Sequence, residues 1–144
     1  PSYKAIPFLR HGDEVVYQKL DYRSTIAAIG QSILQGRAER GYVTFAVICK
    51  NQEDAATAYQ SLKEQLPNVQ LISEDNAVYD GGISVLPSYL AKGMEFDAVY
   101  LPWADASHYG MDALDGKLLY VSMTRALHSL YLYYEDEITP LLAC

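Results

Sequence analysis

The chain has 144 residues, which suits one domain of ordinary size, and half of them are hydrophobic, so a sizeable core is possible and wholesale disorder is excluded. A net charge of −7 argues against a broad basic face for nucleic acid, though not against a local contact completed by a second domain. Two distant cysteines, Cys49 and Cys144, form neither a disulfide framework nor a zinc pattern, and no apolar run reaches membrane-spanning length. With no signal peptide at its start, the expectation is a reduced, cytoplasmic protein. The absence of an initiator Met reads as a fragment cut from something larger.

Residues 1–13 read as an irregular entry and Glu14–Leu20 as a short strand. Ser24 or Thr25 can cap a helix in which Ile26, Ile29, Ile33 and Leu34 recur at helical spacing, and Gly41 stops it. Tyr42–Cys49 is an apolar, β-branched run, expected to be a strand buried on both faces. Asn51 caps a second helix with Ala55, Tyr59, Leu62 and Leu66 along one face, ended by Pro67. Further strands are expected at "VQLI", "ISVLP" and Asp97–Trp103, with a polar loop "SEDNAVYDGG" before the second of these. A loop then runs through Gly116, "KLLYVSMTRA" reads as helix, "HSLYLYY" as strand and "DEITPLLAC" as a terminal helical turn or two. Strands alternating with helices predict an α/β fold: one parallel sheet with helices on both faces, in a single domain spanning 1–144. Ligands of such sheets gather at the carboxyl ends of the strands, which points to the residues after Leu20, Pro87 and Leu101.

No phosphate-binding loop is present. Gly110–Leu118, "GMDALDGKL", has five residues between its glycines where a Walker A loop has four, and Leu118 stands where the magnesium-binding hydroxyl belongs, so it reads as a surface loop. Three places remain as candidates. Arg125 lies in the apolar stretch "LLYVSMTRALHSLYLYY". A guanidinium keeps its proton, so it either faces the carbonyls of its own helix end or serves as an arginine finger for a nucleotide supplied from elsewhere. Lys92, Gly93, Glu95 and Asp97 crowd between two apolar strands, either as a plain glycine turn or with Glu95 accepting from a ribose hydroxyl. In "DYRST", Asp21–Thr25, Tyr22 and Arg23 are either incidental to a first helical turn or able to stack on a purine and reach its phosphates. His11, His108 and His128 are scattered and read as ordinary surface or helix-end residues.

In chain order, "LDYRST", "YLAKGMEFDAVYL" and "LLYVSMTRALHSLYL" resemble motifs IV, V and VI of superfamily 1 helicases of the UvrD/Rep/PcrA type. The resemblance implies the second RecA-like motor subdomain, called 2A: a P-loop NTPase fold without its P-loop. An N-terminal RecA-like domain of the same protein would then hold ATP and Mg2+, and this chain would bind no metal itself. It further implies that Tyr22 stacks on the adenine, that Arg23 and Arg125 contact the γ-phosphate as the catalytic pair, that Glu95 accepts from the ribose, and that Lys92 and Gly93 shape the turn. Ser88 and Tyr89 are the candidate contacts to single-stranded DNA, with Tyr89 able to stack on a base. Where the family has Thr-x-His in motif V, this chain has Pro87 and Tyr89; Met94 replaces a leucine, and the large 2B insertion is absent. The implied activity is that of an ATP-dependent DNA helicase, inactive as this fragment alone. The wording of motifs V and VI is similar to the HelD branch, whose members act on bacterial RNA polymerase, and a non-catalytic docking module is the rival from another class.

Overall fold

The computed structural model describes residues 14–76 and 81–142. Six parallel strands form one sheet: β1 (Glu14–Lys19), β2 (Thr44–Cys49), β3 (Val69–Leu71), β4 (Gly82–Pro87), β5 (Phe96–Leu101) and β6 (Ala126–Tyr134), in the order β1-β6-β5-β2-β4-β3. Helix α1 (Tyr22–Arg40) links β1 to β2, α2 (Gln52–Leu62) links β2 to β3, and α3 (Ala113–Met123) links β5 to β6.

The strands alternate their side chains between two cores. In β2, Phe45, Val47 and Cys49 face α1 and α2, while Ala46 and Ile48 face α3. In β6, Tyr133 joins the α1–α2 side, and Leu130 and Leu132 the α3 side. The continuous apolar run of 44–49 is therefore what a central strand with helices on both faces requires. Among the described residues, no helix is long and apolar enough to cross a membrane.

Several boundaries differ from the sequence reading. The cap of α1 is Asp21, whose carboxylate accepts from the Ser24 amide at 2.8 Å, so the helix starts before Ser24. Gly41 does close it, at φ 68°. α2 ends at Leu62, and Pro67 lies beyond a separate turn rather than at the stop. The supposed surface loop at 110–118 is mostly helix. Asp112 accepts from the Asp115 amide at 2.8 Å and starts α3, which places Ala113–Leu118 in its first turns. At the other end, residues 135–142 form no helix: Ile138 bridges to Asp105 and a turn follows. The irregular entry at 1–13 lies outside the described residues, as do 77–80 of the polar loop.

Candidate functional site

In a parallel sheet every strand starts at one edge and ends at the other, so topology alone sorts the candidate residues. Glu95 directly precedes β5 and Arg125 directly precedes β6, and these neighbouring strands begin together, with Phe96 paired to Ala126. The Phe96 amide donates to the Arg125 carbonyl at 2.9 Å. Arg125 and Glu95 thus share the amino edge. A 3₁₀ turn at Ser88–Leu90 and a tight turn through Lys92 and Gly93 (φ 84°) carry the chain from the end of β4 back to that edge. Such a φ is one that glycine tolerates and a side chain resists.

Arg125 is half-buried and anchored at each nitrogen. Nε donates to the Val121 carbonyl at 3.0 Å, one terminal nitrogen to the Met94 carbonyl at 3.5 Å, and the other to Thr124 Oγ1 at 3.0 Å. All three acceptors are neutral, and among the described residues no carboxylate pairs with it. The guanidinium caps the end of α3, the plainer of the two readings of the sequence, and no carboxylate among the described residues neutralises it. Asp97, by contrast, is structural: its carboxylate accepts from the Val43 and Thr44 amides at 2.8 and 3.1 Å, tying β5 to β2.

Tyr22 and Arg23 lie at the opposite edge. They follow β1, whose Lys19 pairs with Tyr134 at the far end of β6. The nine residues of β6 separate that end from Arg125, roughly 30 Å of strand. Arg23 and Arg125, expected to converge on one phosphate, thus lie beyond opposite ends of neighbouring strands of this sheet. Nor is Tyr22 freely exposed. Its ring stacks on Trp103 at 5.1 Å and 3°, and its hydroxyl lies 2.8 Å from Ser61 Oγ.

The nucleic-acid candidates also divide. Ser88 is fully buried; its Oγ donates to the Leu118 carbonyl at 2.7 Å and meets Ser122 Oγ at 2.9 Å. It ties the turn to α3 and offers nothing to a strand, which corrects that expectation. Tyr89 is 47% exposed and lines a shallow groove with Lys92 and Lys117.

The carboxyl edge carries a network that sequence reasoning missed. Lys50, just after β2, forms an ion pair with Asp115 at 2.8 Å and donates to the His108 carbonyl. His108 Nδ1 lies 2.7 Å from Asp105, its Nε2 lies 3.5 Å from Asp54, and its ring stacks on Trp103. His108 is therefore no incidental surface histidine, and only the adjacent "AD" and "SH" letters hinted at the pairing. The Asp105 hydrogen bond, assisted by the charges of Asp105 and Asp54, raises the His108 pKa above its usual value. Burial works against the Asp105 carboxylate, but hydrogen bonds from His108 and Ser107 prevail and lower its pKa. A group with a raised folded pKa stabilises the fold fully below its unfolded value, near 6.5, and loses that contribution as pH rises through the folded value. The stability difference between wild type and His108→Gln, measured by urea denaturation, should accordingly be larger at pH 6 than at pH 9. An unchanged difference would show that His108 contributes no protonated partner. Cys49, at the end of β2, is buried and its thiol is pushed well up, so it supplies no nucleophile.

A six-stranded parallel sheet flanked by helices thus brings Glu95 and Arg125 together at its amino edge. Residues 82–133 match the UvrD-like helicase C-terminal domain family, and that span holds both long motifs and excludes "DYRST". The C-terminal domain of a possible DNA helicase from a Lactobacillus (strain WCFS1) is 30% identical, with 94% of this chain and 84% of that one covered at TM-score 0.75. This chain belongs to the UvrD-like helicase C-terminal domain family. Domain 2 of the DEAD-box helicase Mss116p, bound to an RNA duplex, is 16% identical over 89% of this chain and 55% of its own, at TM-score 0.59. The E. coli DEAD-box protein SrmB is 11% identical over 88% and 79%, at TM-score 0.60. These two share the RecA-like fold. No curated protein sequence matches the chain significantly.

Proposed function

We propose that the chain is the second motor domain of an ATP-dependent superfamily 1 DNA helicase. An N-terminal RecA-like domain of the same protein holds ATP and Mg2+, and the amino edge of this sheet closes over them. The observation that carries this reading is Arg125: a half-buried guanidinium, fixed by three neutral acceptors, with its charge unspent. Arg125 meets the γ-phosphate, Glu95 accepts from the ribose, and the Lys92–Gly93 turn sets the position of Glu95. ATP draws the edge inward and phosphate loss releases it, so that the two domains step along a single strand touched by Tyr89.

The 144-residue chain alone should hydrolyse no ATP, while the protein that includes the N-terminal domain should do so when single-stranded DNA is added. Turnover by the isolated chain would refute the split site. Within the complete protein, Glu95→Ala should raise the KM for ATP about 5–30-fold with kcat little changed, the signature of a lost hydrogen bond to a bound hydroxyl. A fall in kcat at constant KM would remove the ribose role.

A further inference from the structure

Strand pairing gathers tyrosines on the face of the sheet that α1 covers. Residues paired across neighbouring strands point to the same side, so Val16, Tyr131 and Tyr100 form one row and Gln18 and Tyr133 the next. Facing them, α1 presents small side chains one turn apart: Ala28, Ser32 and Gly36. A cavity of about 360 Å³ remains between helix and strands, and Glu14, the first residue of β1, and Arg40, the last of α1, also line it. That volume falls in the range of small-ligand sites. We propose that this cavity binds a neutral polyhydroxylated ligand of monosaccharide size.

One buried group of the lining lacks a partner. Tyr133 is 1% exposed and borders the cavity, yet its hydroxyl makes no hydrogen bond among the described residues. A buried phenol ordinarily finds one. Its neighbours are satisfied: the Tyr100 hydroxyl lies 2.8 Å from Ser32 Oγ, and the Tyr131 hydroxyl donates to Glu14 at 2.8 Å. A ligand hydroxyl is the group that completes Tyr133. Charge narrows the class further. Arg40 is held by Glu14 at 3.0 Å and donates to Tyr42 and Ser129, so no guanidinium in the lining is left for a phosphate, which Glu14 and Glu39 would repel. Glu14 in turn is neutralised by Arg40, which leaves it little attraction for an amine. Burial pushes the Tyr100 and Tyr133 hydroxyls up and keeps both protonated at neutral pH. Each therefore donates and accepts, as do Ser32 and the amides of Gln18, Gln31 and Gln35. Alcohol hydroxyls likewise need a donor and an acceptor side by side. Val16, Ala28 and the half-buried ring of Tyr131 supply apolar surface for the C–H groups of such a ligand. The inference is independent of the ATP reading, since neither Glu95 nor Arg125 takes part in this lining.

The test is a 1H–15N NMR titration of the 144-residue chain with glucose and with myo-inositol, alongside glucose 6-phosphate and spermidine. The expected result is saturable amide shifts for at least one neutral polyol, centred on residues 16, 18, 32, 36, 131 and 133. Glucose 6-phosphate should bind at least about threefold more weakly than glucose. Tyr133→Phe removes only the unpartnered hydroxyl, so it should weaken polyol binding about 3–10-fold while the melting temperature holds or rises. Ala28→Leu, which fills the cavity from the helix side, should abolish binding, and Lys63→Ala, outside the lining, should leave it within about twofold. The proposal is overturned if neither glucose nor myo-inositol shifts these amides at about 100 mM, if glucose 6-phosphate or spermidine binds more tightly than both, or if Tyr133→Phe binds them as well as wild type.

Discussion

Replacing Arg125 by alanine, in the protein that carries both motor domains, should lower ATP turnover about 10³-fold or more and leave nucleotide affinity within about threefold. The reason lies in where charge develops. During phosphoryl transfer the equatorial oxygens of the γ-phosphate gain charge, and a cation already fixed in place stabilises them without reorganising. Arg125 meets that condition, because Val121, Met94 and Thr124 hold each nitrogen of its guanidinium. A loss of 10³ corresponds to about 4 kcal/mol of transition-state stabilisation. Arg125→Lys should recover little of it, since an ammonium cannot keep the same contacts as a planar fork. Thermal denaturation of both variants separates this role from the helix-capping one: a missing cap shifts the melting temperature, while a missing finger lowers kcat at nearly constant stability. Near-normal turnover in Arg125→Ala would remove Arg125 from the chemistry.

The largest expected effect on stability is at Phe45. It is fully buried in the central strand β2, on the side that receives α1 and α2. Its ring lies so close to Gly36 that a Cβ there would come within 3.1 Å of it, so helix and strand meet with no room to slide. Phe45→Ala should leave a cavity that this close packing cannot collapse into, at a cost of about 3–5 kcal/mol. For a chain of this size the melting temperature should fall by roughly 8–15 °C. A drop of only a few degrees would show that α1 settles onto the strand after all.

The strands were largely legible because their apolar letters come in runs or alternate. Tyr42–Cys49 and "ISVLP" read as strands, and β2 (Thr44–Cys49) and β4 (Gly82–Pro87) form there. The caps at Asp21 and Asp112 were harder, since a carboxylate before a polar turn looks the same in a loop as at a helix start. Helix α3 was half lost for that reason, its first turn Ala113–Gly116 resembling a glycine-bounded loop. The candidate site separated along the same line between local and non-local information. Motifs V and VI are long, and they place Glu95 and Arg125 just before adjacent strands that begin together, so their order in the chain carried over into space. "DYRST" is short, and although its place after Leu20 puts it at a strand's carboxyl end, no local pattern tells how that strand lies relative to the one after Arg125. Only the pairing of β1 beside β6 sets that end a full strand length from Arg125. The network of Lys50, Asp105, His108 and Asp115 was invisible for a related reason: Lys50 and Asp115 lie far apart in sequence, and the turn after β5 brings them together.

The central claim is that the nucleotide meets the amino edge of this sheet. The direct measurement is a crystal structure of the protein carrying both motor domains, bound to Mg·ADP and aluminium fluoride as a mimic of the transferring phosphoryl group. The account predicts the Arg125 guanidinium within about 3 Å of a fluoride and Glu95 at the ribose, with Arg23 remote from both. A structure with Arg23 on the fluoride, or with the ligand facing the carboxyl ends of these strands, would contradict it.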